Sequence, residues 1–297
     1  MARELPIGEY VSDGVDFLLD HAQGLFDGIA AGIEFVSGNL TDLLQATPIW
    51  AVFAVLAGLG LWRVGWRFAL FVLVALYVIL GMDLWEQTMD TLGLVLAATL
   101  VALGIGLPSG VAMAKSDIVA AVVRPVLDFM QTLPAFVYLI PAVLFFGLGE
   151  VPGTIATVIF SMPPAVRLMN LGIRHVPVEN VEAGRAFGCN SAQLLFKVEL
   201  PLAMPSIMAG VNQTIMLALS MVVIASMIGA GGLGNTVLTG IQRLDVGLGF
   251  EGGLGVVILA IILDRLTQSF GSRSTADSPL SRLKSLFSRG SEESSKG

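Results

Sequence analysis

The apolar positions of this chain form long continuous runs that are separated by short polar stretches. Seven runs are present, at residues 47–62, 66–82, 91–113, 129–148, 151–169, 206–228 and 251–267. An α-helix needs about 20 apolar residues to cross the hydrocarbon core of a bilayer. The pattern therefore predicts an all-α polytopic membrane protein with about seven transmembrane helices.

Two of these predicted helices have unusual features. The first two runs are short, and only Arg63-Val-Gly-Trp-Arg67 separates them, which predicts a tight helical hairpin with its two arginines among the lipid headgroups. Pro134 and Pro141 interrupt the fourth run. A spanning helix tolerates such prolines where neighbouring groups satisfy the freed backbone carbonyls.

Residues 11–34, ahead of the first run, have the period of an amphipathic helix. The apolar positions are Val15, Leu18, Leu19, Ala22, Phe26, Ile29 and Ile33, and the acidic ones are Asp13, Asp16, Asp20 and Asp27. Ser12 is a candidate for its N-cap. We expect this helix to lie on the outer membrane face or to pack on the spans, with a docking site for a binding protein as the alternative.

Seven spans place the two ends of the chain on opposite sides of the membrane, and the basic residues select the orientation. With the amino terminus outside, 14 of the 16 Lys and Arg residues fall in cytoplasmic segments or at the adjoining helix ends, and only Arg3 and Arg243 fall outside. This bias follows the positive-inside rule. We therefore expect the carboxyl terminus in the cytoplasm.

The composition agrees with a membrane protein and excludes several kinds of site. Hydrophobic residues make up 55% of the chain and charged residues 13%, whereas soluble domains carry about 25% charged residues. Cys189 is the single cysteine, which excludes an intramolecular disulfide. His21 and His175 lack metal-ligand spacing, so no metal site is predicted. The amino-terminal region is acidic after Arg3 and does not have the pattern of a secretory signal.

Four tryptophans lie at the ends of predicted spans. They are Trp50, Trp62, Trp66 and Trp85. An interfacial aromatic belt explains these positions and is preferred to an aromatic cage for a cationic amine.

The longest predicted cytoplasmic loop, at residues 178–201, has the features of two short helices joined by a turn. Glu179 and Glu182 lie near the start of the first helix, where acidic groups meet the positive end of the helix dipole. Gly188 can adopt the left-handed conformation that ends a helix. Asn190 or Ser191 can cap the second helix, and Pro201 is expected to follow its end.

The same loop resembles the EAA motif of ABC importer permeases. That motif reads Glu-Ala-Ala, three residues, Gly, nine residues, Ile, any residue, Leu-Pro. The matching positions here are Glu182, Ala183, Gly184, Gly188, Val198, Leu200 and Pro201, with Gly184 and Val198 as the departures. The resemblance implies that the loop is a coupling helix that inserts into a groove of a separate ATPase.

The resemblance to a type I ABC permease extends over residues 85–268. Residues 124–141, 220–224 and 229–234 are similar to the branch that transports glycine betaine, proline and choline. The resemblance implies a five-helix core preceded by two extra spans. The expected domains are an extracytoplasmic acidic segment at 1–46, the two-span hairpin at 47–84, the core at 85–268 with its coupling loop at 178–201, and a cytoplasmic Ser-rich basic tail at 269–297.

Five residues are candidates for the external mouth of a transport pathway. They are Gly229, Gly231, Gly232, Gly234 and Tyr138. The glycines would let backbones approach closely at the outer end of the sixth span, although a flexible turn is an equal alternative. For Tyr138, helix packing is the preferred alternative.

The chain lacks the Gly-x4-Gly-Lys-Ser/Thr sequence that cradles a nucleotide phosphate. We therefore expect a non-catalytic permease subunit that binds no cofactor and depends on ATP and Mg²⁺ bound by a partner ATPase. The resemblance further implies a permease homodimer in the bacterial inner membrane and an extracytoplasmic binding protein. The cargo would be an osmolyte or quaternary amine such as glycine betaine, choline, proline betaine or trimethylamine N-oxide.

Two other functions were weighed. An ion-coupled carrier would usually place ionisable residues within its spans, and a seven-span receptor or intramembrane enzyme would need a buried lysine, a Ser/His dyad or paired carboxylates. Neither pattern is evident. In the tail, Leu280, Leu283, Leu286 and Phe287 share a helical face near Arg282, Lys284 and Arg289. Either contact with anionic lipid or a flexible tail would explain this pattern.

Overall fold

The structure, a computed structural model, describes residues 7–271, with side chains from residue 12 onward. Its secondary structure over this range is helical. The α-helices are α1 (Ile7–His21), α2 (Gln23–Ala46), α3 (Ile49–Arg63), α4 (Trp66–Gly81), α5 (Trp85–Lys115), α6 (Asp117–Thr132), α7 (Leu139–Phe146), α8 (Glu150–Arg174), α9 (Val178–Ala186), α10 (Ser191–Leu194), α11 (Leu200–Ser226), α12 (Gly232–Arg243) and α13 (Val246–Gly271). A 3₁₀-helix (Ala135–Tyr138) precedes α7, and a π-helix (Leu195–Glu199) joins α10 to α11.

Four to six spans fit the lengths of these helices. Helices α5, α8, α13 and the continuous helix Ser191–Ser226 are each long and apolar enough to cross a membrane. Two pairs reach that length only together, and they are bent by 104° (α2 with α3) and by 108° (α6 with the 3₁₀-helix and α7). Helix α4 is apolar but shorter. The all-α polytopic fold is confirmed, whereas the count of seven spans is not.

The fourth predicted span, at residues 129–148, is not one continuous helix. Leu133 has an extended conformation (φ −70°, ψ 135°), because the ring of Pro134 disfavours the helical conformation in the residue before it. The chain therefore turns sharply after α6. Pro141 does not interrupt the structure, since it lies in the first turn of α7, where no amide donor is needed.

The amino-terminal region also differs from its prediction. The expected helix at residues 11–34 is two helices, α1 and α2, which meet at Ala22. Ser12 is not an N-cap, because α1 already begins at Ile7. The prediction for the tail falls largely on residues 272–297, which lie outside the described part of the chain.

The predicted hairpin is present as α3 and α4, which pack against each other. Gly65, with φ +131°, forms the turn between them. Arg63 donates from Nη2 to the carbonyl of Ser269 at 2.9 Å, and its guanidinium lies 4.4 Å from the ring centroid of Phe270. These contacts hold the hairpin turn against the carboxyl end of α13.

Helix α8 is the centre of the bundle and packs along both α5 and α11. A Cβ atom on Gly110 of α5 would lie 2.6 Å from Cβ of Met169 and 2.7 Å from the carbonyl oxygen of Val166. Because Gly110 has no side chain, the backbone of α5 can lie directly against Met169 and Val166 of α8. Close approach of this kind is the main source of helix association in lipid, where the solvent is itself apolar.

We predict that Gly110→Ala lowers the thermal stability of the protein, because the new methyl group must separate α5 from α8. Overpacking of a buried contact typically costs about 1–3 kcal/mol. The matched control is Gly104→Ala in the same helix, where an added Cβ meets no atom within 4 Å. Thermal unfolding of both variants in detergent, followed by size-exclusion chromatography, measures the difference. Equal transition temperatures would contradict the packing interpretation.

Candidate functional site

The loop between α8 and α11 forms the predicted elbow of two short helices, α9 and α10. Gly188 has φ +82° and ends the first helix, and its amide donates to the carbonyl of Arg185 at 2.9 Å. The amide of Cys189 donates to the carbonyl of Gly184 at 3.1 Å. A non-glycine residue rarely adopts this conformation. Gly188 therefore fixes the sharp change of direction in the loop.

Asn190 is the N-cap of the second helix. Its side chain accepts from the amide of Gln193 at 2.8 Å, and the side chain of Gln193 accepts from the amide of Asn190 at 3.0 Å. This reciprocal pair is a capping box. The prediction of a cap at Asn190 or Ser191 is confirmed, with Asn190 in that role.

The expected end of the second helix before Pro201 is wrong. The chain continues without a break through the π-helix into α11. Pro201 has no amide to donate to the carbonyl four residues earlier. The π-helix, whose turns are wider than those of an α-helix, ends just before Pro201. This wider turn lets the helix continue into α11.

Small and apolar residues of the motif hold the elbow together and attach it to the bundle. Gly184 is buried, and a Cβ atom there would lie 2.8 Å from Cδ1 of Leu194 and 3.4 Å from Cγ2 of Val198. Only a small residue fits between the two helices. Leu200 packs on a buried cluster, contributed mainly by α8 and α11, that contains Met169, Ile173, Val176, Ala203 and Ile207.

Other motif residues face outward. Glu182, Ala183 and Pro201 are exposed. A cavity of about 430 Å³ lies between the elbow and the start of α11, and its lining includes Ala183, Gly184 and Pro201. The structure thus divides the motif into residues that build the elbow and residues that it presents.

Sequence reasoning missed the apolar side chains that the elbow exposes. Phe187 lines the same cavity and is 90% exposed, and Val178 and Phe196 are 64% and 67% exposed. Apolar groups exposed in this way are candidates for contact with another protein where they lie together on one surface. The signal was present in the sequence, since an aromatic residue next to the turn glycine has no role in capping.

The glycine stretch at residues 229–234, which is predicted to be external, runs from the turn after α11 into the first turn of α12. Gly229, Gly231 and Gly232 all have positive φ, at +92°, +78° and +67°. Beside them, the amide of Gly149 donates to the carbonyl of Ile228 at 2.8 Å. This bond joins the start of α8 to the end of α11.

The second half of the stretch contacts two spans closely. A Cβ atom on Gly232 would lie 2.5 Å from Oγ1 of Thr91, and one on Gly234 would lie 2.4 Å from the carbonyl oxygen of Val222. The amide of Leu233 donates to Oγ1 of Thr91 at 2.8 Å. The glycines permit close backbone approach, as expected, while their place at a transport pathway stays a prediction.

Tyr138 is buried. Its hydroxyl donates to the carbonyl of Met130, and its ring packs edge-on against Phe160 with centroids 6.3 Å apart. The apolar cluster around it includes Met221 and Ile228. Its contacts are those of a packing residue, and a role in the pathway stays a prediction.

Among the side chains that the structure describes, three ion pairs connect helices near the end of the bundle that carries the elbow. Lys115 pairs with the buried carboxylate of Glu199. Arg174 pairs with Asp117 at 2.7 Å, and Arg167 pairs with Asp128. Asp264, also at this end, accepts from Asn212 at 2.8 Å and from Gln268 at 2.7 Å. Of these side chains, Asp128 and Arg167 pair with each other, whereas Asp264 is hydrogen-bonded by two neutral amides.

Known proteins resemble this chain over most of its length. Residues 102–275 match the family described as binding-protein-dependent transport system inner membrane component. The glycine betaine/proline betaine transport system permease protein ProW of Escherichia coli is 51% identical over 90% of this chain and 75% of its own. The glycine betaine/carnitine transport permease protein GbuB of Listeria monocytogenes is 49% identical over 92% of this chain and 98% of its own.

A solved structure confirms the fold independently. The inward-facing MetNI methionine ABC transporter aligns with a TM-score of 0.57 over 62% of this chain and 94% of its own, at 20% identity. The fold of the bundle is thus that of a type I ABC permease. With the family match and the identities to the two permeases, this shows that the chain belongs to the binding-protein-dependent transport system inner membrane components and is a permease subunit of an ABC transporter.

Proposed function

We propose that this permease imports a betaine-type osmolyte by alternating access, driven by a separate ATPase that engages the elbow of α9 and α10. The observation that carries the proposal is the elbow itself. It combines the spacing of the EAA motif with a rigid turn at Gly188 and an exposed apolar surface around Phe187. A loop that only connected two spans would not need to present such a surface.

Contacts in the structure support the proposed orientation. The hairpin turn at Arg63 contacts the end of α13, and a Cβ atom on Gly271 would lie 2.6 Å from Cβ of Met208, near the start of α11. The hairpin turn, the elbow and the end of α13 therefore share one side of the bundle. This side also carries Lys115 and Arg174. By the positive-inside rule it is the cytoplasmic side, which leaves the acidic amino-terminal segment outside.

The chain carries only part of the complete transporter. Two copies of the permease would enclose the pathway, and each elbow would seat on one ATPase subunit. Mg²⁺ and ATP belong to that partner, and an extracytoplasmic binding protein would deliver the cargo. The similarity to ProW and GbuB supports the betaine class, with choline and trimethylamine N-oxide as further members to test.

Reconstitution tests this function directly. The permease, its cognate ATPase and its binding protein are placed in liposomes, and uptake of labelled glycine betaine is measured with and without ATP. We expect accumulation that requires all three components. Uptake driven equally well by an ion gradient without the ATPase would refute the proposal. Titration of the binding protein with methylated amines then identifies the cargo.

We predict that Gly188→Pro and Glu182→Lys each abolish ATP-dependent uptake and the stimulation of ATPase activity, while membrane insertion stays normal. Proline cannot adopt the positive φ that the turn requires, and lysine reverses the charge of an exposed motif position. Gly188→Asn is the matched control, because asparagine tolerates the left-handed conformation. Full uptake by both of the first two variants would show that the elbow does not couple ATP hydrolysis to transport.

We predict that Phe187→Ala weakens binding of the ATPase without destabilising the permease. A buried aromatic anchor at an interface is often worth at least about 2 kcal/mol, or roughly a 30-fold change in Kd. The control is Phe35→Ala, which removes a comparably exposed ring from α2. Titration of the ATPase against permease in nanodiscs measures both. An unchanged Kd for Phe187→Ala would place the contact surface elsewhere.

A further inference from the structure

The corner between α5 and α6, at residues 113–117, is tied to both ends of the coupling loop. Arg174 is the last residue of α8 before the loop, and its Nη2 donates to the carbonyl of Met113 at 2.8 Å and to Asp117 at 2.7 Å. Glu199 is the last residue of the π-helix after the elbow, and it accepts from Lys115. One short corner therefore holds the entry and the exit of the loop.

The Arg174–Asp117 and Lys115–Glu199 ion pairs differ in strength because they differ in burial. The side chain of Asp117 is 90% exposed, and ion pairs on the surface contribute little because water screens them. The side chain of Glu199 is only 7% exposed, and Lys115 is the ion-pair partner that the structure gives it. Withdrawal of the lysine would leave a buried carboxylate uncompensated, which is strongly unfavourable. The Lys115–Glu199 pair is therefore the tie that best resists separation.

Through α5, the Lys115–Glu199 pair is connected to both ends of the bundle. Glu199 ends a π-helix, a geometry that is frequent at functional sites because it departs from regular hydrogen bonding. Lys115 ends α5, a helix that runs across the bundle. Near the other end of α5, Thr91 accepts from the amide of Leu233 in the external glycine stretch. A displacement of the elbow that reached Lys115 would thus be applied to a helix that contacts the opposite side.

We propose that the Lys115–Glu199 ion pair transmits the displacement of the coupling loop to α5, which makes both of them positioning residues for ATP-driven transport. The inference rests on the proposed engagement of the elbow by an ATPase. When the elbow moves with the ATPase, Glu199 moves with it, and the lysine follows because the buried carboxylate requires its charge. Helix α5 then shifts as a unit.

Apolar packing is the competing connection. Val181 and Leu195 of the loop pack on the same cluster as Leu107, Val111 and Ala114 of α5. Such contacts are not directional, and they permit the loop to slide over α5. The ion pair fixes one atom of the loop to one atom of α5. Removal of the charges with retention of the apolar contacts therefore separates the two connections.

The test uses the reconstituted complex with its ATPase and binding protein, and it compares wild type with the neutral double variant Lys115→Met/Glu199→Gln. This variant leaves no unpaired charge in the interior, so the fold is expected to persist. The readout is the number of glycine betaine molecules imported per ATP hydrolysed. We expect this ratio to fall roughly tenfold, the size of a typical coupling between two sites, while the ATPase still binds and hydrolyses ATP.

Two further variants make the result specific. Arg67→Met removes a positive charge from the start of α4, where the guanidinium lies over Trp66, and it should leave the ratio unchanged. The exchanged pair Lys115→Glu/Glu199→Lys should recover at least part of the ratio, because it restores opposite charges at the two positions. A single Glu199→Gln variant should resemble the neutral double variant.

Three outcomes would overturn the inference. A wild-type ratio in the neutral double variant would show that apolar packing is sufficient. Loss of ATPase binding would give the pair a role in the shape of the elbow instead. An exchanged pair as poor as the neutral one would show that the ionic attraction is not what matters. Absence of ATP-dependent uptake by the wild-type complex would instead refute the proposed function.

Discussion

Close packing of α8 against both α5 and α11 is the constraint on which the rest of this structure depends. Lipid tails are as apolar as the side chains of a bundle, so burial from water does not hold these helices together. Dispersion contacts do, and they require short distances. The contact of Gly110 with Val166 and Met169 on one side of α8 meets this requirement. On the other side, a Cβ atom on Gly172 would lie 2.9 Å from Cβ of Ser206.

The same packing positions the elbow. Helices α8 and α11 are held side by side at the end where the loop leaves one and returns to the other. The loop must therefore reverse its direction within a short distance, and it does so with the positive φ of Gly188 and the capping box at Asn190. The backbone amides of the turn are satisfied locally. A loop satisfied in this way can be rigid without being buried, which a contact with another protein requires.

The sequence indicated the class of fold and the elbow because both depend on local patterns. Long runs of apolar residues indicate helices that span a bilayer. The turn at Gly188 and the cap at Asn190 follow from the conformational preferences of single residues. The sharp bend after α6 was missed because apolar runs do not show direction. Pro134 predicts an interruption within a span, but the sequence does not show that the chain changes direction there by 108°.

The ion pair at Glu199 depends on tertiary structure, because its two partners are distant along the chain. Lys115 and Glu199 are separated by 84 residues, so no spacing rule relates them. Glu199 also occupies a position of the motif that accepts any residue, where a resemblance carries no information. The functional value of such a position comes from what the fold places beside it.

Helix α8 joins the two ends of the molecule in one element. It begins next to the glycine stretch at residues 229–234, where the amide of Gly149 donates to the carbonyl of Ile228, and it ends at Arg174, which contacts the corner between α5 and α6. Helix α5 has the same two connections, through Thr91 and Lys115. Helices α5 and α8 both contact the two ends of the bundle, and they pack on each other. Neither helix can shift alone without loss of the close contact at Gly110. The close packing that replaces hydrophobic burial in lipid therefore also connects the two ends of the bundle mechanically.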